Sequence, residues 1–324
     1  MKEADFNEWL AGLPALTSAQ KQRLAAALTG ADPATTVANE LDALGVSHCP
    51  HCAAGSPVRF GHASGLQRYK CHACRRTFNA LTGTPLARLR HRDAWRVFAQ
   101  ALIDGESVRR SAASAGVHRN TAFRWRHRFL AAPSDMQAKR LAGIAEADET
   151  FIRRSYKGSR SLERPPRQRG GGAKKSRKGR DPDDEVGVLV MRDREGHTLS
   201  HALETVDHRT IDDTVGHRLE REAVLCTDGA SVYQRYAQYR GVTHEPVNLA
   251  QGIRVRRPAF HVQNVNAYHS RWKGWMERFH GVATRYLDHY LGWHRMLDAV
   301  GDSATPHNVL AAARGHAYQH STMT

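Results

Sequence analysis

Two groups of residues in this 324-residue chain have the types and spacing to do chemistry. The first is Cys49-Pro50-His51-Cys52, followed after eighteen residues by Cys71-His72-Ala73-Cys74. Each Cys-x-x-Cys presents two thiolates to one ion, and two such knuckles at this separation close a tetrahedral four-sulfur zinc site. A redox dithiol is the competing reading. The matched pairs favour structural zinc, and four cysteines leave His51, His62 and His72 without a place in the site. The second group is dispersed: Asp148, Asp228, Asn266 and Lys273. Asp148 stands in Leu141–Arg154, LAGIAEADETFIRR, where Ile144, Phe151 and Ile152 give an apolar, strand-like run. A carboxylate inside a buried strand is costly unless a cation or a partner receives it. Asp228 ends a second apolar run, AVLCTDG, and Asn266 and Lys273 lie seven positions apart in HVQNVNAYHSRWK, which opens a helix. If the fold brings Asp148, Asp228 and Asn266 together, three oxygen donors converge, the ligand type that hard cations such as magnesium require.

Those residues can meet only if a sheet and a helix carry them to one place, and the sequence after Pro133 and Ser134 supplies both. Beyond the Asp148 strand, EVGVLVMRD and GHTLSHALETV alternate apolar and polar residues about a turn at Glu195-Gly196, a hairpin pattern. A helix in DHRTIDDTVGHRLERE, the strand AVLCTDG, the helix ASVYQRYAQYRG, a strand around VTHEPV and a helix from about Asn264 follow. That order describes a mixed sheet flanked by helices over residues 140–300, with Asp148 and Asp228 on adjacent strands although eighty positions apart in the chain. Cys226 reads as a small buried side chain. Inserted at residues 153–185 is a Gly-, Pro- and Arg-rich stretch. Residues 153–180 of it hold twelve Lys or Arg against one Glu, including Lys174, Lys175, Arg177 and Lys178. It is expected to be a disordered segment or one ordered by DNA, with a linker or localisation tag as the plain alternative.

Ahead of the sheet, residues 1–45 predict a small helical region with Leu10, Leu13, Leu16, Leu24 and Leu28, and residues 46–85 the zinc ribbon, with hairpin character between the knuckles. Residues 88–133 predict three helices punctuated by Gly105 and Gly116. ESVRRSAASAGVHRNTAFRWRHRF has the layout of a helix-turn-helix, in which Arg119, Asn120, Arg124 and Arg128 would face a major groove and Val117, Phe123 and Phe129 would face inward. A helical connector is the alternative. Residues 301–324 read as a C-terminal tail. The fold class is therefore multidomain: helical N-terminus, zinc ribbon, helix-turn-helix and an α/β domain.

Forty-eight Lys and Arg against 32 Asp and Glu give a formal net charge of +16, which favours a polyanionic partner such as DNA. No apolar run reaches the length of a membrane span, and the opening MKEADFNEW does not resemble a signal peptide, so a cytoplasmic, nucleoid-associated protein without a membrane partner is expected.

The order of zinc ribbon, helix-turn-helix, ADETF, CTDGASVY and HVQNVNAYHSRWKGWMERFHGVATRYLDHYLGW resembles the transposases of bacterial insertion sequences with a ribonuclease-H-like catalytic core, the DDE type, from Cys49 to about Trp293. The resemblance implies that Asp148 and Asp228 are metal-binding aspartates and that Asn266 occupies the usual Glu position, with Lys273 in register to hold a phosphate. It also implies two Mg2+ or Mn2+ ions beside the structural Zn2+, hydrolysis of the strand at the element's end, and attack of the freed 3′-OH on target DNA. Partners would be the terminal inverted repeats, target DNA and further copies of the chain in a homo-multimer. Glu277 and His269 could compensate for the uncharged Asn266, with surface exposure the plainer expectation for each. Arg271, Trp272 and Trp275 could touch DNA, with core packing the alternative for the two tryptophans.

Two other functions remain compatible with the residues. One is a catalytically inactive zinc-ribbon and helix-turn-helix regulator, kept open by Asn266; the other is a structure-specific nuclease with the same core. A tyrosine or serine recombinase would need Tyr156, Tyr233 or Ser231 as nucleophile, and the clustered Arg and His support for one is missing.

Overall fold

The computed structural model describes residues 2–16, 18–30, 32–162, 184–247 and 259–317. The chain forms two compact units, one built from the residues up to Asp135 together with those from Met296 onward, the other from Met136–Arg295. In chain order the elements are α1 (Glu3–Gly12), α2 (Ser18–Thr29), α3 (Pro33–Ala43), β1 (Val58–Ala63), β2 (Leu66–Lys70), β3 (Thr77–Asn79), α4 (Trp95–Ile103), α5 (Val108–Ser114) and α6 (Arg119–Asp135). They continue with β4 (Ile144–Arg153), β5 (Glu185–Asp193), β6 (Thr198–Leu203), α7 (His208–Val215), β7 (Val224–Thr227), α8 (Ser231–Arg240), β8 (Thr243–Pro246), α9 (Gln263–Glu277), α10 (Leu287–Val300) and α11 (Pro306–Arg314).

Local chemistry starts several of these elements. Asp32 accepts from the amides of Ala34 and Thr35 ahead of Pro33 in α3, Ser107 caps α5 through Arg110, and Asp207 caps α7 through Arg209 and Thr210. Ser64 and Gly65 both take positive φ in the tight turn joining antiparallel β1 and β2, the condition for a two-residue hairpin.

In the first unit, the predicted helix trio is present as α4, α5 and α6. Its buried stripe on α6 is Ala122, Trp125, Arg126, Phe129 and Leu130, recurring at helical spacing. Phe123 was expected to face inward; it is 39% exposed and lies edge-on to His127, because it stands one position off that stripe. Arg126 takes a stripe position and is buried with its guanidinium donating to the Glu106 carbonyl at 2.6 Å and to Ser111 Oγ at 2.9 Å, which fastens α6 to α5. Residues 301–324 are not simply a tail. Within them α11 buries Val309, Leu310, Ala312 and Ala313 and packs on α4 and α6, since the apolar side of Pro306–Arg314 needs cover.

The second unit holds a five-stranded sheet of order β6-β5-β4-β7-β8, antiparallel from β6 to β4 and parallel from β4 to β8. Alternation divides its faces. Ala145, Ala147, Leu189 and Met191 pack with Ile211 and Val215 of α7 and Tyr233 and Tyr236 of α8, while Val186, Val188 and Val190 pack with Val265, Tyr268 and Trp272 of α9 and Leu287 and Leu291 of α10. This two-sided burial explains the unbroken apolar run of β5. The basic insertion is narrower than residues 153–185: β4 runs to Arg153, Arg154 donates its amide to the Asp184 carbonyl, and Lys157 Nζ reaches the Gly281 carbonyl at 2.8 Å. Lys174, Lys175, Arg177 and Lys178 lie outside the described residues.

Candidate active site

β4 and β7 lie side by side, parallel, with Ala145 opposite Leu225 and Glu146 opposite Cys226. Asp148 comes two positions after Glu146 on β4, and Asp228 two positions after Cys226, one residue past the end of β7. Regular pairing of β7 ends at Thr227, and Asp228 opens the turn into α8, its Oδ1 accepting from the Ala230 amide at 2.9 Å. Gly229 makes that turn at φ 85°, where an added Cβ would press on Pro246 Cβ at 3.3 Å. Asp148 shares its face of β4 with Glu146, the face that α9 covers.

In α9, Val265, Tyr268 and Trp272 point into the core, and the adjoining stripe carries Asn266, His269 and Lys273, spaced three and four apart. Asn266 and Lys273 are exposed. His269 is not: it is 5% exposed, its Nδ1 stands 3.7 Å from Asp148 Oδ2, and its Nε2 is buried without a hydrogen-bond partner among the described residues. The expectation of a surface His269 is therefore corrected. The helical register that brings Tyr268 to the core carries its neighbour against β4, the central strand, as well. Glu277 is exposed, Trp272 is buried, and Trp275 packs edge-on against Trp293 at 4.8 Å between ring centroids.

The buried acid of the strand also differs from expectation. Asp148 keeps 22% of its side chain exposed, whereas Glu146 is fully buried. Sequence reasoning passed over Glu146. The signal was its separation of two from Asp148, which on a strand places both on one face. On the other face Glu149 accepts a hydrogen bond from Tyr233 Oη at 2.6 Å. Burial pushes the Glu149 carboxyl up, Tyr233 opposes this, and the charges of Asp148 and Asp228 add to it. Tyr233, buried beside Glu149, is itself pushed well above the ordinary phenol range.

In the first unit, the Sγ atoms of Cys49, Cys52, Cys71 and Cys74 all lie within 4.8 Å of one another, with Cys49–Cys74 and Cys52–Cys71 at 3.6 Å. Tetrahedral Zn–S bonds of ~2.3 Å place sulfurs about 3.8 Å apart, so the cluster could hold zinc. Tyr69 and Phe78 stack beneath it and fill its small core. On α6, Arg119, Asn120 and Arg124 are exposed, while Arg128 spends donors on the carbonyls of Pro85 and Ala87.

A family model described as an ISXO2-like transposase domain matches residues 140–293, the stretch that contains the sheet, α9 and the first half of α10. The chain is also 30% identical over 254 residues to an uncharacterized protein in the transposable element ISH50 of Halobacterium salinarum, covering 75% of this chain and 82% of that one. Two solved Mos1 transposase assemblies, a pre-cleavage transpososome and a mariner paired-end complex with Mn, are each 13% identical. They cover 68% and 66% of this chain and 79% and 77% of theirs, at TM-scores of 0.18 and 0.17. The protein is a transposase of an insertion sequence. Within that class, its residues 140–293 match the ISXO2-like transposase domain. Among the described residues no helix is long and apolar enough to cross a membrane.

Proposed function

We propose that this transposase binds the terminal inverted repeats of its element and carries out divalent-metal-dependent DNA strand cleavage followed by 3′-OH strand transfer, with Asp148, Asp228, Asn266 and Lys273 as the reacting-site residues. What supports this reading is that Asp148 follows Glu146 on β4, and Asp228 follows its parallel partner Cys226, by the same two positions, with α9 held on the Asp148 face by its inward stripe and with His269 3.7 Å from Asp148.

The donor set fits hard cations. Two carboxylates that keep solvent access and the amide oxygen of Asn266 are oxygen ligands, the kind Mg2+ and Mn2+ take. Bound there, two such ions would supply Lewis-acid charge for in-line phosphoryl transfer. The chain's own groups do the rest. Asp148 is fixed by the β4–β5 ladder, with Val190 opposite it. Asp228 is oriented by the Ala230 amide, and Lys273, exposed two turns along α9 from Asn266, offers an ammonium to a phosphate beside the scissile bond. Exposed Arg119 and Arg124 present paired donors suited to guanine, exposed Asn120 presents the donor and acceptor that match adenine, and the basic residues Lys174, Lys175, Arg177 and Lys178 add counterion-releasing phosphate contacts. Structural zinc on the four cysteines and a homo-multimer that synapses two ends complete the reading.

A nicking and strand-joining assay on element-end DNA with Mg2+ or Mn2+ tests it. Cleavage should be lost in Asp148→Ala and Asp228→Ala while DNA binding survives. Tight binding with no cleavage under any divalent ion would point to a DNA-binding regulator, and cutting without joining to a nuclease.

A further inference from the structure

For Asn266 and His269 to meet Asp148, α9 must hold one register against β4, and a buried side chain two positions from Asp148 provides the means. Glu146 is fully buried on the face of β4 that α9 covers. Arg194, from the turn between β5 and β6, donates Nη1–H to Glu146 Oε1, and His261 Nδ1 stands 3.3 Å from the same oxygen. The Val265 amide donates to Glu146 Oε2 at 3.0 Å. Val265 is in the first turn of α9, where amides have no acceptor within the helix, and Val262 at the helix start offers no side-chain cap. Glu146 is thus a cap contributed from a strand, with its negative charge at the positive end of the helix dipole. Arg194 also donates to the carbonyl of Ala259 at 2.7 Å, so the same guanidinium holds the residues that lead into α9.

An ion pair whose carboxylate is fully buried is an inefficient source of stability, since apolar side chains of equal volume often do as well or better. What the arrangement does provide is register. Only one placement of α9 along β4 lets the carboxylate meet Arg194, His261 and the Val265 amide together. We propose that Glu146 is a positioning residue that locks α9 onto β4 and thereby sets where Asn266, His269 and Lys273 stand relative to Asp148, an inference that rests on the assignment of Asp148 and Asn266 to the reacting site.

Hydrogen exchange followed by mass spectrometry on the full chain, without DNA or added metal, tests the lock separately from the chemistry. In Glu146→Ala the amides of residues 262–270 should exchange about fivefold faster or more, the effect of losing a helix cap, and Arg194→Ala, which releases the Ala259 carbonyl and leaves the buried carboxylate without its guanidinium, should speed the same amides, while residues 186–215 keep wild-type protection. Glu146→Gln, which retains an accepting oxygen for Val265, should keep protection that Glu146→Ala loses; if Glu146→Ala does not fold, Arg194→Ala decides. End cleavage by Arg194→Ala should fall in kcat with KM for DNA unchanged. Wild-type protection at 262–270, or acceleration spread equally over 186–215, would overturn the proposal. Faster exchange confined to α9, in a protein whose wild type cleaves with no divalent ion, would support the lock and remove the catalytic assignment alone.

Discussion

The hydroxyl of Tyr233 donates to Glu149 at 2.6 Å, joining the helix that follows Asp228 to the strand residue that follows Asp148. The two acids are thereby braced from the face of the sheet opposite α9. Removing the donor leaves the Glu149 carboxyl, already pushed up by burial, short of a partner. Tyr233→Phe should destabilise the protein by about 1–3 kcal/mol, seen as a lower urea midpoint at unchanged slope. A midpoint equal to wild type would show that this bond contributes nothing.

His269 is buried against Asp148. His269→Leu, apolar and of similar volume, should change stability by less than about 1.5 kcal/mol in thermal melts. End cleavage should nonetheless fall about tenfold or more, the scale of a lost polar group beside a reacting centre. Equal cleavage rates would reduce His269 to a space-filling role.

In the proposed site Asn266 would offer an uncharged oxygen where a carboxylate would bind a cation more strongly. Asn266→Glu should preserve or raise metal-dependent cleavage, and Asn266→Ala should lower it by at least about tenfold. Activity abolished by Glu in a protein that still folds would assign the amide a role other than metal binding.

Zinc should be needed for the ribbon to fold, because Tyr69, Phe78 and the four cysteines make too small a core to stand alone. One equivalent of zinc should be measured by atomic absorption in wild type and lost in Cys71→Ser. Chelation should open the ribbon to proteolysis between residues 46 and 80. Wild-type protein lacking zinc yet resistant to protease would refute the assignment.

Stability of the second unit should fall in acid through His201. Burial, with Arg295 adding, lowers its folded pKa from 6.5 to about 4. A base with a depressed folded pKa takes up its proton first in the unfolded chain, so stability is full above about pH 6.5 and declines as pH falls toward 4. The loss is at most about 3 kcal/mol. Urea midpoints compared between pH 7 and pH 4.5 should show it, and His201→Gln should flatten the profile.

The sequence by itself determined much of the architecture. Two matched Cys-x-x-Cys pairs fix a four-sulfur cluster because ligand spacing is local, and period-two and period-3.6 patterns mark the strands and helices of the mixed sheet because side-chain direction follows backbone geometry. Asp148 and Asp228 stood out for the same reason, as acids set in apolar runs. Tertiary structure alone decided which acid is buried, since Glu146 and Asp148 share one face of one strand and only the partners arriving from Arg194, His261 and Val265 distinguish them. It also decided the fate of His269, Phe123 and α11. A helix face is buried or exposed according to what packs against it, and that neighbour comes from distant sequence.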